Sequence, residues 1–468
     1  MLPRLTKGGS RGKQVLSYDT LSEPGMKRAV SLLLVTVAVL WAGCSTKGAD
    51  EGKTVVSYTR WGDPAELEST RELIKQFMDE NPDIIVRVDV VSWQQYWQKM
   101  ATAVVTGTAQ DVWLMSASYV EQYAAAGHLL DLMPFINADP TFNVDDYFPH
   151  AFDNFTYAGE GKATHNVPFG QGRLYSFTRD YNCSLLFYNK DHFDAAGAAY
   201  PTGDWTWEEM AAAAKKLTID FDGDGIIDQW GLQGGAYTTL AAVIGGQIID
   251  PETRRCSYSP RPGHTEIYDA LVFTRDCIFK YKVAPPANIQ IEEYAFVTGK
   301  TSMVIEGAWE IRNYNRSKSM WDIALVPLDR KDSKRTTGGG GVAHCVYSGT
   351  KHPDAAWKLV KFLSGDTSQR ALGRSGTSIP VLKAAAYSDD FLADFDRPPK
   401  SSYPIIYSNL LGGKYVPSYT RGYLEYMKLS RQITGEVWLG VKTPEQACKE
   451  IDDETNAILA EQYGDAPL

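Results

Sequence analysis

The chain reads as an α/β protein, and three observations predict it. Beginning at Thr54, apolar runs rich in β-branched residues alternate with stretches whose apolar residues recur at helical spacing. The alternation resumes after Ser184, and such alternation marks α/β units built on a parallel sheet. The 468 residues, 44% of them hydrophobic, suffice for two or three units with an ordinary core.

Taken in order, Val55–Arg60 is the first strand, and it stops at Trp61-Gly62-Asp63-Pro64. Asp63 is placed to cap the next helix, with Pro64 at its first position and Glu66 reaching back. Leu67, Thr70, Ile74 and Phe77 give that helix its apolar stripe, and Asn81-Pro82 ends it. Ile84–Val91 is the second strand, Trp93, Tyr96, Met100 and Val104 mark the second helix, and Asp111–Met115 is a short buried strand. Downstream, Ser184–Tyr188 is a strand, and Thr206 with Glu209 forms a capping box before the helix Met210–Leu217. Lys300–Ile305 and Trp321–Val326 are further strands. Asp354–Leu363 is a helix with Ala356, Val360 and Leu363 inward, and Thr443, Pro444 and Gln446 open a last helix through Ile451 and Ile458. Lys331–Gly341 is rich in Gly, Ser and Thr and reads as a flexible surface loop.

Ahead of the first strand lies MKRAVSLLLVTVAVLWAGC, residues 26–44. A charged start, an apolar run, two small residues and a cysteine are the layout of an exported lipoprotein signal. Cleavage before Cys44 would leave a lipidated N-terminal cysteine, with residues 44–53 as a polar tether. Residues 1–25 precede the start at Met26 and read as an extension without a fold. Trp41, where such signals usually carry Leu, leaves an ordinary cleaved signal peptide as the alternative. The apolar run is shorter than the roughly 20 residues a membrane span needs.

The formal charge is −10. Without residues 1–43, which hold six basic and two acidic residues, 41 basic residues face 55 acidic ones, a net −14. An acidic chain without a basic block is a poor nucleic-acid binder, so that partner class is set aside. Besides Cys44 there are Cys183, Cys256, Cys277, Cys345 and Cys448, with no CxxC. They read as small buried hydrophobes, with a Cys256–Cys277 bridge as the alternative. The 12 Trp, 26 Tyr and 17 Phe supply flat rings for ligand stacking as well as for packing.

Four segments, in this order, carry a family resemblance: AQDVWLMSASYVEQYAAAG (109–127), SLLFYNKDHFDAAG (184–197), FVTGKTSMVIEGAW (296–309) and HPDAAWKLVKFL (352–363). From Thr54 to about Tyr463 the chain resembles the extracellular solute-binding proteins of ABC importers, in the sugar-binding branch. The resemblance implies a type II, periplasmic-binding-protein-like fold of two α/β lobes joined by a hinge, with the ligand in the cleft. Lobe I would be residues 54–182 and 327–372, and lobe II 183–326 and 373–468. It further implies a monomer that delivers a sugar or oligosaccharide to a membrane permease served by a separate ATPase.

Sugar sites combine aromatic platforms with fixed donors and acceptors. Trp61 and Asp63 follow the first strand, and Met115, Ser116 and Ser118 match a ligand loop of the family. Tyr181 and Asn182 stand where the family supplies a polar contact, although the Val167–Tyr181 link is longer than usual. Trp309 matches the family's stacking tryptophan, with Glu306 beside it as an acceptor of hydroxyls. Tyr237, Arg374 and Tyr407 complete the candidates, while Trp113 and Trp357 sit at core-facing positions.

Asp220-Phe221-Asp222-Gly223-Asp224-Gly225-Ile226-Ile227-Asp228 matches the first half of a calcium loop, with Asp220, Asp222, Asp224, the Ile226 position and Asp228 as ligands of a structural calcium. Gly231 stands where the bidentate glutamate belongs, and a solvated acidic turn is the plainer reading. There is no GxSxG, HExxH, Walker loop or complete GxGxxG, so no enzyme and no required cofactor are expected. Two rivals stay open: the same fold holding a non-sugar solute, and a secreted glycosidase, which needs only a carboxylate pair.

Overall fold

Strand β1 (Thr54–Trp61) alternates Val56 and Tyr58 into a core and ends where Gly62 turns the chain at a φ of 156°. The computed structural model describes residues 52–62, 64–158, 167–250, 253–289, 292, 294–336, 340–411 and 420–463. The export signal, Cys44, most of the tether and Asp63 lie outside the described residues. After β1 come helix α1 (Pro64–Glu80), β2 (Ile84–Val91), α2 (Trp93–Val105), β3 (Val112–Ser116) and the short α3 (Val120–Ala125). β1 pairs parallel with both β2 and β3, as the alternation predicts.

Two later strands complete this first sheet. They are β4 (Ser176–Tyr181) and, much further along, β8 (Gly341–Val346). The order is β2-β1-β3-β8-β4, with β8 antiparallel to both neighbours. Ile74 and Phe77 of α1 and Tyr96 and Met100 of α2 pack on the sheet. So do Val360 and Leu363 of α7 (Pro353–Leu363), the helix that follows β8.

The second sheet is built from β5 (Ser184–Asn189), β6 (Met303–Gly307) and β7 (Trp321–Ala324), in the order β6-β5-β7. Here the parallel expectation fails, because both partners run antiparallel to β5. Alternation along a sequence does not set direction. The 113 residues between β5 and β6 carry helices α4 (Trp207–Leu217), α5 (Tyr237–Val243) and α6 (Glu266–Phe279), and bring the chain back at the end where β5 stops. The capping box is present: the Thr206 N–H donates to Glu209 Oε2 at 2.7 Å, and the Glu209 N–H donates to Thr206 Oγ1 at 3.3 Å.

Two cores form: the first covers the first sheet and one face of the second, and the other core covers the second sheet's other face. β5 serves both, with Leu185 and Phe187 in the first core and Leu186 and Tyr188 in the second. The second core takes Met210 and Leu217 of α4, Leu271 of α6, Val437 of α10 (Tyr423–Trp438) and Ile451 of α11 (Pro444–Tyr463). Residues of the segment 373–468 enter both cores. Ile379, Val381, Phe391, and Ile406 and Leu410 of α9 (Tyr403–Leu411) join the first core, and α10 and α11 join the second. Between α7 and α9 runs α8 (Asp366–Ser375). No described helix is long and apolar enough to cross a membrane.

Candidate functional site

Because β1, β2 and β3 are parallel, their carboxyl ends open on one side, where open α/β sheets receive ligands. Trp61 closes β1 there. Its ring meets Trp93 edge-on at 5.0 Å and 82°, Tyr96 edge-on at 5.0 Å, and Trp97 at 5.7 Å. Trp97 stacks flat on Tyr119 at 3.5 Å and 5°. Trp93 was read as one of the helix's apolar markers, yet it is 47% exposed, while Tyr96 and Met100 of the same helix are buried. Trp93 opens the helix and packs on Trp61 and Trp97.

Off β3, Met115 is fully buried in the first core, so its side chain does not reach the ligand loop. Ser116 and Ser118 do face outward, with their hydroxyls 3.3 Å apart. The Ser118 hydroxyl lies near the Tyr423 hydroxyl on α10, so the first-sheet loop approaches a helix of the second core. Burial pushes the Tyr119 hydroxyl up to about 12, and Tyr423 adds to the rise while Arg431 opposes it. Arg431 acts likewise on Tyr423 and Tyr237, so its charge is felt by tyrosines from three segments. Trp93, Trp97, Tyr119, Tyr423 and Arg431 escaped the sequence reading. The signal available was the Trp93/Trp97 pair four apart at a helix start.

From the second sheet comes Trp309, just past β6. It is 45% exposed. Its ring folds back over Gly307, where a Cβ would stand 2.1 Å from the ring carbons, so only glycine permits this pose. Glu306 is half-buried and accepts from the Gly307 N–H at 3.0 Å. Burial raises its pKa above the usual carboxylate range, and that hydrogen bond holds it partly back.

Other candidates are placed elsewhere. Tyr237 lies in the second core, its hydroxyl 3.3 Å from that of Tyr258. Tyr181 is buried in the first core. Asn182 is also buried and donates from Nδ2 to Asp180 Oδ1 at 3.1 Å and to Ser378 at 3.5 Å. Asp180 in turn pairs with Arg179 at 2.6 Å and accepts from the Val342 N–H, so these residues clasp β4 to β8. Arg374 on α8 pairs with Asp390 at 2.6 Å, beside Arg370. The Tyr407 hydroxyl donates to the Ala386 carbonyl at 2.8 Å, and its ring packs on Tyr387. Both serve the packing around α8 and α9. Trp113 and Trp357 are buried, as expected.

The family model for bacterial extracellular solute-binding proteins matches residues 61–370. That is well over half of the chain. It belongs to the bacterial extracellular solute-binding protein family. A Brucella abortus chain described as a binding protein is 21% identical over 403 residues, 83% of this solute-binding protein and 89% of the relative. Among solved structures, the ABC substrate-binding protein of Listeria monocytogenes in complex with cycloalternan superposes with a TM-score of 0.74 at 24% identity, covering 87% of this chain and 99% of that one. The sugar-binding protein MalE of Xanthomonas citri gives 0.70 at 20% identity, covering 87% and 98%. Such likeness establishes the two-lobed fold.

In the acidic loop of this solute-binding protein, carboxylate oxygens of Asp220, Asp222 and Asp224 lie within 4.8 Å of one another. Each also accepts a loop N–H: Asp220 those of Gly223 and Gly225, Asp222 that of Asp224, and Asp224 that of Ile226. Asp228 accepts from the Phe221 N–H at 2.8 Å and stands outside the cluster. A side chain at Gly231 would meet the Ala214 carbonyl at 2.0 Å, so no glutamate fits at the loop's twelfth position. The five described cysteines are free and buried, so Cys256 and Cys277 form no bridge.

Proposed function

We propose that this extracellular solute-binding protein captures a sugar or oligosaccharide between its lobes and delivers it intact to a membrane permease driven by a separate ATPase. The observation that carries the reading is the glycine-enabled pose of Trp309, an exposed ring held over backbone beside the Glu306 carboxylate. A ring held this way loses little freedom on stacking against a sugar face. The Trp61–Trp93 corner and the Ser116, Ser118 and Tyr423 hydroxyls supply the other half. The cycloalternan complex and the sugar-binding MalE among its structural neighbours support the same class. Contacts from both lobes would favour the closed state, since a ligand with equal affinity for open and closed forms shifts nothing.

In this reading Cys44 carries the lipid that holds the protein at the outer side of the membrane. A structural calcium in the Asp220–Asp228 loop belongs to the same proposal, supported by the three converging carboxylates. Equilibrium dialysis with calcium, comparing wild type with Asp222→Asn, tests it; equal retention by both would remove it.

The experiment for the main reading is a thermal-unfolding screen of the purified protein against mono- and oligosaccharides. The expected result is a rise of several degrees with one sugar class, recovery of that sugar unshortened, and loss of the rise in Trp309→Ala. A shortened sugar would point to a glycosidase. No rise with any sugar would turn the search to other solutes.

A further inference from the structure

The face of the first sheet beneath α1 and α8 borders a cavity of about 70 Å³. That is several times the room a single water needs, about 10–15 Å³. Its walls bring together three guanidinium groups: Arg60 from β1, Arg179 from β4, and Arg312 from the one-turn helix Ile311–Tyr314 that follows β6. No carboxylate lines it among the described residues.

The partners of these groups are unevenly filled. Arg60 is buried and donates to Thr70 Oγ1 at 2.7 Å and to the Trp61 carbonyl at 2.9 Å. Arg179 donates to Asp180. The half-buried Arg312 guanidinium makes no hydrogen bond or ion pair among the described residues, although Asp394 and Asp396 share an open groove on its outer side. Also lining the cavity, the Ser368 hydroxyl of α8 is buried with no partner among the described residues. His344 adds no positive charge to offset. Burial, reinforced by Arg179 and Arg60, holds its pKa well below the ordinary value, and its two ring nitrogens face the Tyr58 and Ser364 hydroxyls.

A cavity rich in guanidinium, with an unfilled donor and no acid among its described lining residues, is built for a small anion. Planar guanidinium forks match tetrahedral oxyanions better than spherical ones. We propose that this cavity binds one phosphate or sulfate ion, held by Arg312 and Ser368 with Arg60 and Arg179 alongside. The ion would tie the segment leaving the second sheet to the first sheet. The proposal does not depend on what the ligand cleft holds.

Both ions also stabilise proteins by exclusion from the surface, so the test needs a site-specific arm. The protein is dialysed against radiolabelled sulfate, and separately phosphate, at constant ionic strength, and unfolding midpoints are compared with sodium chloride as reference. The expected result is one ion retained per chain, each ion displacing the other, with a saturable rise of a few degrees. Arg312→Gln and Ser368→Ala, each checked for folding, should weaken retention by about tenfold. Absence of retention by wild type overturns the proposal. So does equal retention by wild type and Ser368→Ala, which decides the matter should Arg312→Gln not fold.

Discussion

Trp61 and Trp309 are held by opposite means. Trp61 is half-buried and wedged among Trp93, Tyr96 and Trp97, so side chains fix it. Trp309 is 45% exposed and lies over Gly307, so backbone fixes it. One ring is part of its lobe's packing and the other only rests on its lobe. Affinity and stability should therefore be coupled at Trp61 and separable at Trp309.

The sharpest test of that contrast is Trp309→Ala. Sugar affinity by calorimetry should fall by about 2–4 kcal/mol, the range of interface anchors, with the unfolding midpoint unmoved. A large loss of stability would show that this ring too is packing. Trp61→Ala should lower stability by about 2–3 kcal/mol in urea titrations, since its aromatic neighbours lose a shared partner, and weaken sugar binding in the same variant. An unchanged urea midpoint would break the comparison from the other side. Gly307→Ala tests the backbone support directly. The added Cβ must displace the Trp309 ring, and affinity should drop about tenfold, or ~1.4 kcal/mol, while far-ultraviolet circular dichroism stays that of wild type.

Glu306 gives a pH handle on the same site. Its folded pKa is raised, so the native state holds the proton more tightly than the unfolded chain. Stability from this group is therefore present below the ordinary value of 4.5 and lost as pH rises through the raised one. Glu306→Gln should remove that downward slope from the stability–pH curve just above this value. A slope unchanged by the substitution would place its origin elsewhere. The smallest effect is expected of Arg374→Ala. Its guanidinium is occupied by Asp390, so sugar affinity should stay at the wild-type value, and a clear loss would return this residue to the site.

Which parts were legible in the sequence follows from how local each signal is. Helix caps and strand starts depend on residues three or four apart, and the Thr206/Glu209 box appears where its spacing puts it. Trp309 was singled out by the family resemblance alone, and the structure adds that its ring lies over Gly307, two residues away. Met115 was not. β3 is a central strand covered on both faces, and Val112, Trp113, Leu114 and Met115 are all buried, so no inside–outside alternation marks the last residue as core. Tyr181 and Asn182 fell under the pairing of β4 with β8, a partner about 160 residues away. The share of 373–410 in the first core was equally hidden, since apolar residues carry no label for the core they enter.

By itself, then, the sequence determined the α/β class, the strands of the first three-strand unit, the Thr206/Glu209 cap and the resemblance that named the family. These are set by short-range sterics, hydrogen bonding and apolar spacing. Only the tertiary structure decided that the second sheet is antiparallel, that β5 feeds two cores, and that Tyr237 and Met115 face inward. Those outcomes depend on which distant segments share a sheet or a wall. That choice is made by packing and loop closure over the whole chain, which no local pattern records.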